Sequence, residues 1–117
     1  MDLVVQVTER DGWAVARASG DLDLTTGPRL RETVVGLVVE GQPRVVLDLQ
    51  AVDFIDSTGL GVLVGLLKRT RSQGGDLRLV STRPGLRKIL ELTGLDRALP
   101  LAASVDAVVD PSGTGGS

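Results

Sequence analysis

The side chains in this chain that could do chemistry are carboxylates and hydroxyls. Asp21 and Asp23 flank Leu22, Asp48 sits inside an apolar run, and Asp53 and Asp56 lead into Ser57 and Thr58. Carboxylates brought to one rim of a sheet could ligate a hard cation such as Mg²⁺. Asp is also the common residue of turns and helix starts, and these positions read better as caps and turn formers than as ligands. The chain contains no histidine, cysteine or tyrosine. Imidazole and phenol bases, thiolate nucleophiles and the usual nitrogen and sulfur metal ligands are therefore absent. A serine nucleophile would need Lys68 or Lys88 as its base, and helical spacing sends both to solvent. No catalytic residue, metal ligand or cofactor is assigned, and the chain is expected not to be an enzyme. Gly59-Leu60-Gly61 faintly matches a nucleotide-binding glycine pattern, but no Gly-Lys-Ser/Thr follows, and a third glycine would fall on Leu63 or Val64. Weak nucleotide binding is the most this pattern allows.

Ser57 and the aspartates must be positioned by the elements around them. Leu3, Val5 and Val7 alternate with their neighbours, Asp11-Gly12 makes a turn, and Trp13 to Ser19 alternate again, which predicts a hairpin. Gly20 to Leu24 breaks the pattern. From Thr25 or Thr26, with Pro28 in the first turn, Leu30, Val34, Leu37 and Val38 recur at helical spacing as far as Gly41. Val45 to Leu49 is a β-branched, apolar run of the kind buried on both faces of a sheet. Gln50 to Asp56 reads as a loop. A second helix follows, with Asp56 and Ser57 as cap candidates and Leu60, Leu63, Val64 and Leu67 on its apolar face. Gly74-Gly75 stops it, and Leu77 to Val80 form a strand. Pro84 opens a helix with Leu86, Ile89, Leu90 and Thr93 inward and Gly94 as its left-handed cap. A short strand around Leu99 to Leu101 and a last turn capped by Ser104 complete the order ββαβαβαβα. This order predicts an α/β fold: one mixed sheet covered by helices, with right-handed crossovers in its parallel part.

Residues 1–110 are expected to form one domain and 111–117 a flexible Gly/Ser tail. Net charge is −2, which argues against direct nucleic-acid contact. The longest nearly apolar stretch, Gly59 to Leu67, is less than half of the ~20 residues a membrane span needs. No secretory signal pattern opens the chain, and without cysteine there is no disulfide framework, so a cytoplasmic location is expected.

The run Val45-Val46-Leu47-Asp48-Leu49, followed by Val52-Asp53-Phe54-Ile55-Asp56-Ser57-Thr58-Gly59-Leu60-Gly61, resembles the signature of STAS domains. Within them it is similar to bacterial anti-sigma factor antagonists, whose Asp-Ser-Ser/Thr-Gly-Leu stretch carries the phosphorylated serine. Gly20-Asp21-Leu22-Asp23 with Pro28 and Leu30, Gly75 to Val80, and Leu90 to Leu95 extend the likeness as far as about Leu101. The resemblance implies a single STAS domain that works by partner switching. Unmodified, it would bind an anti-sigma factor of the serine kinase type and so free a sigma factor for transcription. Phosphorylated at Ser57 it would let go, and a phosphatase would reset it. The implied partner surface is Asp21, Asp23, Asp56, Ser57, Thr58, Gly59 and Leu60. The alternative within the family is a constitutive accessory or scaffold subunit, stressosome-like or associated with a lipid transporter.

Overall fold

The computed structural model describes residues 2–110. Its elements are β1 (Leu3–Arg10), β2 (Trp13–Leu22), α1 (Gly27–Val39), β3 (Arg44–Ile55), α2 (Ser57–Ser72), β4 (Asp76–Val80), α3 (Pro84–Leu92), β5 (Leu101–Ala102) and α4 (Val105–Val109). The expected Gly/Ser tail at 111–117 lies outside the described residues.

The five strands lie in the spatial order β1-β2-β3-β4-β5. The hairpin β1–β2 is antiparallel and the other three pairs are parallel. Its turn, Asp11 and Gly12, has φ of 52° and 84°, the left-handed pair that matches strand twist in a two-residue connection. Each later strand returns through a helix, as parallel pairing requires.

The two faces of the sheet are covered unequally. Ala14, Ala16 and Ala18 of β2, Val45, Leu47 and Leu49 of β3 and Leu77 and Leu79 of β4 pack under Leu30 and Val34 of α1, Leu63, Leu66 and Leu67 of α2 and Leu86 and Leu90 of α3. The small alanines let the helices lie close to the sheet. On the opposite face Trp13, Val15, Val46 and Val80 meet Val105 of the short α4. The guanidinium of Arg44 stacks over the Trp13 ring at 4.4 Å, and Arg10 pairs with Asp106 at 2.6 Å, tying β1 to α4.

Several local expectations differ from what is observed. Gln50 to Ile55 continues β3 instead of forming a loop, because two register shifts against β2, at Arg17/Ser19 and Gly20/Asp21, insert residues that break the alternation of the strand. The last strand is Leu101–Ala102, while Leu99 is fully buried just before it. Thr93 is exposed at the end of α3, where its hydroxyl donates to the Ile89 carbonyl at 2.7 Å. In α2 the buried side chains are Leu63, Leu66, Leu67 and Thr70, with Leu60 and Val64 half-buried at the margin.

Candidate functional site

The extension of β3 is what places the site. In register with β2, Asp21 lies opposite Phe54 and Leu22 opposite Ile55, so both strands end together. The next residue, Asp56, donates its N–H to the Leu22 carbonyl at 3.2 Å, fastening the start of α2 to the end of β2.

Asp56 is the helix cap. Its backbone is extended, and its carboxylate accepts the Gly59 N–H at 2.8 Å. Of the two cap candidates Asp56 thus does the work, which frees Ser57. Ser57 is the first helical residue of α2, is exposed, and its hydroxyl has no hydrogen-bond partner among the described residues. The helix start also carries free N–H groups and the positive end of the helix dipole, which favour an added negative charge.

Gly59 is buried because the helix start sits on β2: a Cβ there would lie 2.5 Å from the Leu22 carbonyl oxygen. Only glycine permits that approach. Gly59 and the half-buried Leu60, which packs against the main core, thus seat the helix, while Ser57 and Thr58 face outward.

Beside them the Asp21–Thr26 loop is tied by its own hydrogen bonds. The Asp23 carboxylate accepts from the Thr25 hydroxyl at 2.8 Å, the Thr25 N–H at 2.9 Å and the Thr26 N–H at 3.0 Å. The Thr25 hydroxyl, then these backbone donors, hold Asp23 below the usual carboxylate pKa range. The buried Thr26 hydroxyl donates to the Asp21 carbonyl at 2.7 Å and accepts from the Asp23 N–H at 2.9 Å. The loop is therefore a preformed shape next to Ser57.

The remaining aspartates point elsewhere. Asp48, on the α4 face, is buried and pairs with Arg17 at 3.0 Å; the exposed Asp53 pairs with Arg83 at 3.2 Å. Among the described residues no group of three or more His, Cys, Asp or Glu side chains is placed to hold a metal ion. Two apolar side chains at this end of the sheet were not singled out by sequence reasoning: Leu24 is 70% exposed and Phe54 54% exposed. The available signal was the isolation of Leu24 in a polar loop and the position of Phe54, the single phenylalanine, just before the Asp-Ser-Thr-Gly stretch.

The STAS domain family model matches residues 4–108, nearly all of the described chain. The chain belongs to the STAS domain family. It is similar to the anti-sigma-B factor antagonist of Bacillus subtilis (strain 168), with 32% identity over 109 residues, covering 93% of this chain and 99% of that protein. Among solved structures it is similar to an anti-sigma factor antagonist from Mycobacterium paratuberculosis, with a TM-score of 0.83 at 31% identity over 93% of this chain and 92% of that one. The fold is shared with the Bacillus cell fate determinant SpoIIAA in its phosphorylated form, at a TM-score of 0.72 and 21% identity over 93% and 99% of the two chains. Among the described residues no helix is long and apolar enough to cross a membrane.

Proposed function

We propose that this STAS domain is an anti-sigma factor antagonist, a binding module and not an enzyme, switched by phosphorylation of Ser57. The observation that carries the reading is the division of labour at the start of α2. Asp56 supplies the cap, so the Ser57 hydroxyl stays exposed and uncommitted, and its modification need not disturb the helix. A phosphate there adds about −1.5 to −2 charges at a helix N-terminus that tolerates them. Unfolding is thus not the expected consequence; the change falls on the surface that a partner reads.

In this reading the partner is an anti-sigma factor with serine kinase activity. It docks on Ser57 and Thr58 and on the Asp21–Asp23 loop, and the exposed Leu24 and Phe54 at the same end of the sheet offer further apolar area. Exposed apolar side chains at the same end of the sheet as a modifiable hydroxyl suit an interface that must both hold and release. A phosphatase restores the unmodified form, and the site of action is the cytoplasm. The names of the relatives and the compact rim around Ser57 support this reading over catalysis.

The test is incubation of the protein with a kinase-type anti-sigma factor from its own genome and ATP, followed by mass spectrometry. One added phosphate on Ser57, lost in Ser57→Ala, is expected, together with release of the phosphorylated form from the partner. A stable complex that neither gains phosphate nor loosens would refute the switch and favour a constitutive scaffold or accessory subunit.

A further inference from the structure

We propose that β1 is a dimerisation edge, along which two copies of this chain pair antiparallel into one continuous sheet. The two edges of the sheet are unlike. β5 offers only two residues, whereas β1 offers eight, in uninterrupted register with β2. Edge strands that stay unpaired are usually blunted by proline, charged side chains, a bulge or shortness. β1, Leu-Val-Val-Gln-Val-Thr-Glu-Arg, has no proline or bulge, and its two charges, Glu9 and Arg10, are confined to the turn end.

The hairpin dictates which backbone groups are free. Arg10 and Trp13 flank the two-residue turn and so exchange backbone hydrogen bonds. By alternation Thr8, Gln6 and Val4 also bond toward β2, and Leu3, Val5, Val7 and Glu9 direct their N–H and C=O groups outward. Among the described residues nothing outside the hairpin bonds to those groups. The edge also exposes one valine on each face of the sheet, among polar neighbours: Val7 is 42% exposed on the face of α1, and Val4 is 53% exposed on the face of α4.

A second copy fits this edge in one register. With the two-fold axis at Gln6, all four outward residues of each strand are paired, Leu3 with Glu9 and Val5 with Val7 of the other copy. Val4 then lies opposite Thr8, and Asp2, which has no ion-pair partner among the described residues, lies opposite Arg10, which Asp106 of its own copy already holds from one side. β-branched and opposite-charge pairs are the favourable cross-strand combinations, and no like charges meet. A shift by two residues in either direction loses the Asp2–Arg10 pair and places Glu9 against Val5 or beyond the strand. The self-complementarity favours a second copy over an unrelated extended peptide.

The chain lacks cysteine, so single cysteines report on the geometry directly. In the proposed register position 6 faces itself in a non-hydrogen-bonded pair, with Cα atoms about 4.5 Å apart, within disulfide reach. Position 8 is offset from its copy by four residues, about 13 Å, and is out of reach. Gln6→Cys should oxidise to a covalent dimer and Thr8→Cys should not. By sedimentation equilibrium the unmodified chain should rise with concentration toward twice its 12.2 kDa mass. Val7→Pro removes an outward N–H without touching the hairpin ladder, and should stay monomeric with unchanged circular dichroism. Val7→Lys keeps every backbone group and should also be monomeric, which covers the case of a proline variant that fails to fold. A chain that remains monomeric up to millimolar concentration, or equal cross-linking at positions 6 and 8, overturns the proposal.

Discussion

Replacing Gly59 by alanine tests whether the start of α2 is seated on β2. On helix propensity alone the change should stabilise, since alanine is favoured over glycine by about 1 kcal/mol in a helix interior. The structure reverses the sign. The new Cβ would lie 2.5 Å from the Leu22 carbonyl oxygen and 3.0 Å from both Leu22 Cγ and Ile55 Cγ2, and Leu22 is fully buried. Backbone and buried side chains cannot yield as a surface chain would, so the helix must back off by roughly 0.9 Å to reach ordinary contact at 3.4 Å. Overpacking of this kind costs about 1–3 kcal/mol. The Asp56 N–H to Leu22 carbonyl bond, already 3.2 Å long, would stretch further at a cost of about 0.5–1.5 kcal/mol. Against the propensity gain, a net loss of about 1–3 kcal/mol is expected, or about 4–12 °C in Tm for a domain of this size. Gly61 and Gly65 lie on the same helix, and a Cβ added at either would have nothing within 4 Å. Gly61→Ala and Gly65→Ala should therefore gain about 0.5–1 kcal/mol each. Thermal and urea unfolding of the three variants gives the comparison. A Gly59→Ala protein as stable as Gly61→Ala would refute the seating of α2 on the Leu22 carbonyl.

Leu63→Ala should lose about 2–5 kcal/mol in urea unfolding because Leu63 is fully buried beneath α2, while the exposed Lys68→Ala should change little; the reverse ranking would contradict the assigned helix face. Ser57→Ala should bind the anti-sigma partner but resist phosphorylation. If a partner carboxylate lies ~6–8 Å from the phosphate, repulsion of about 2–4 kcal/mol weakens binding roughly 30- to 1,000-fold, with Ser57→Asp losing less; a salt-independent, unchanged Kd of the phosphorylated form would count against the mechanism. The lowered Asp23 pKa means that its charged form is favoured by folding, so this stability is present above the ordinary carboxylate pKa and lost as pH falls through the folded value. Asp23→Ala should accordingly flatten the acid limb of a plot of stability against pH, and an unchanged limb would show that the Thr25 and Thr26 bonds do not stabilise the loop.

The order of the elements, the apolar faces of the helices and the location of Ser57 at a helix start were legible in the residues, because each depends on spacing within a few positions. Periodicity exposes Leu30 and Val34, or Leu63 and Leu67, without reference to the rest of the chain. Asp56-Ser57-Thr58-Gly59 is likewise a contiguous signal. The choice between Asp56 and Ser57 as cap was not legible, since both have the chemistry and only the extended backbone at Asp56 decides it. Nor was the continuation of β3 to Ile55, because its two inserted residues erase the alternation that marks a strand, and pairing with β2 is what holds it extended. The partners of the other aspartates were out of reach for the same reason: Arg17 meets Asp48 from 31 positions away, and Arg83 meets Asp53 from the far side of α2 and β4 in the chain. Exposure of Leu24 and Phe54 follows from where the two strands end together, and the need for glycine at position 59 follows from the carbonyl of Leu22. Local spacing determines what each segment can become; contacts between distant segments decide which of its side chains remain free to meet a partner.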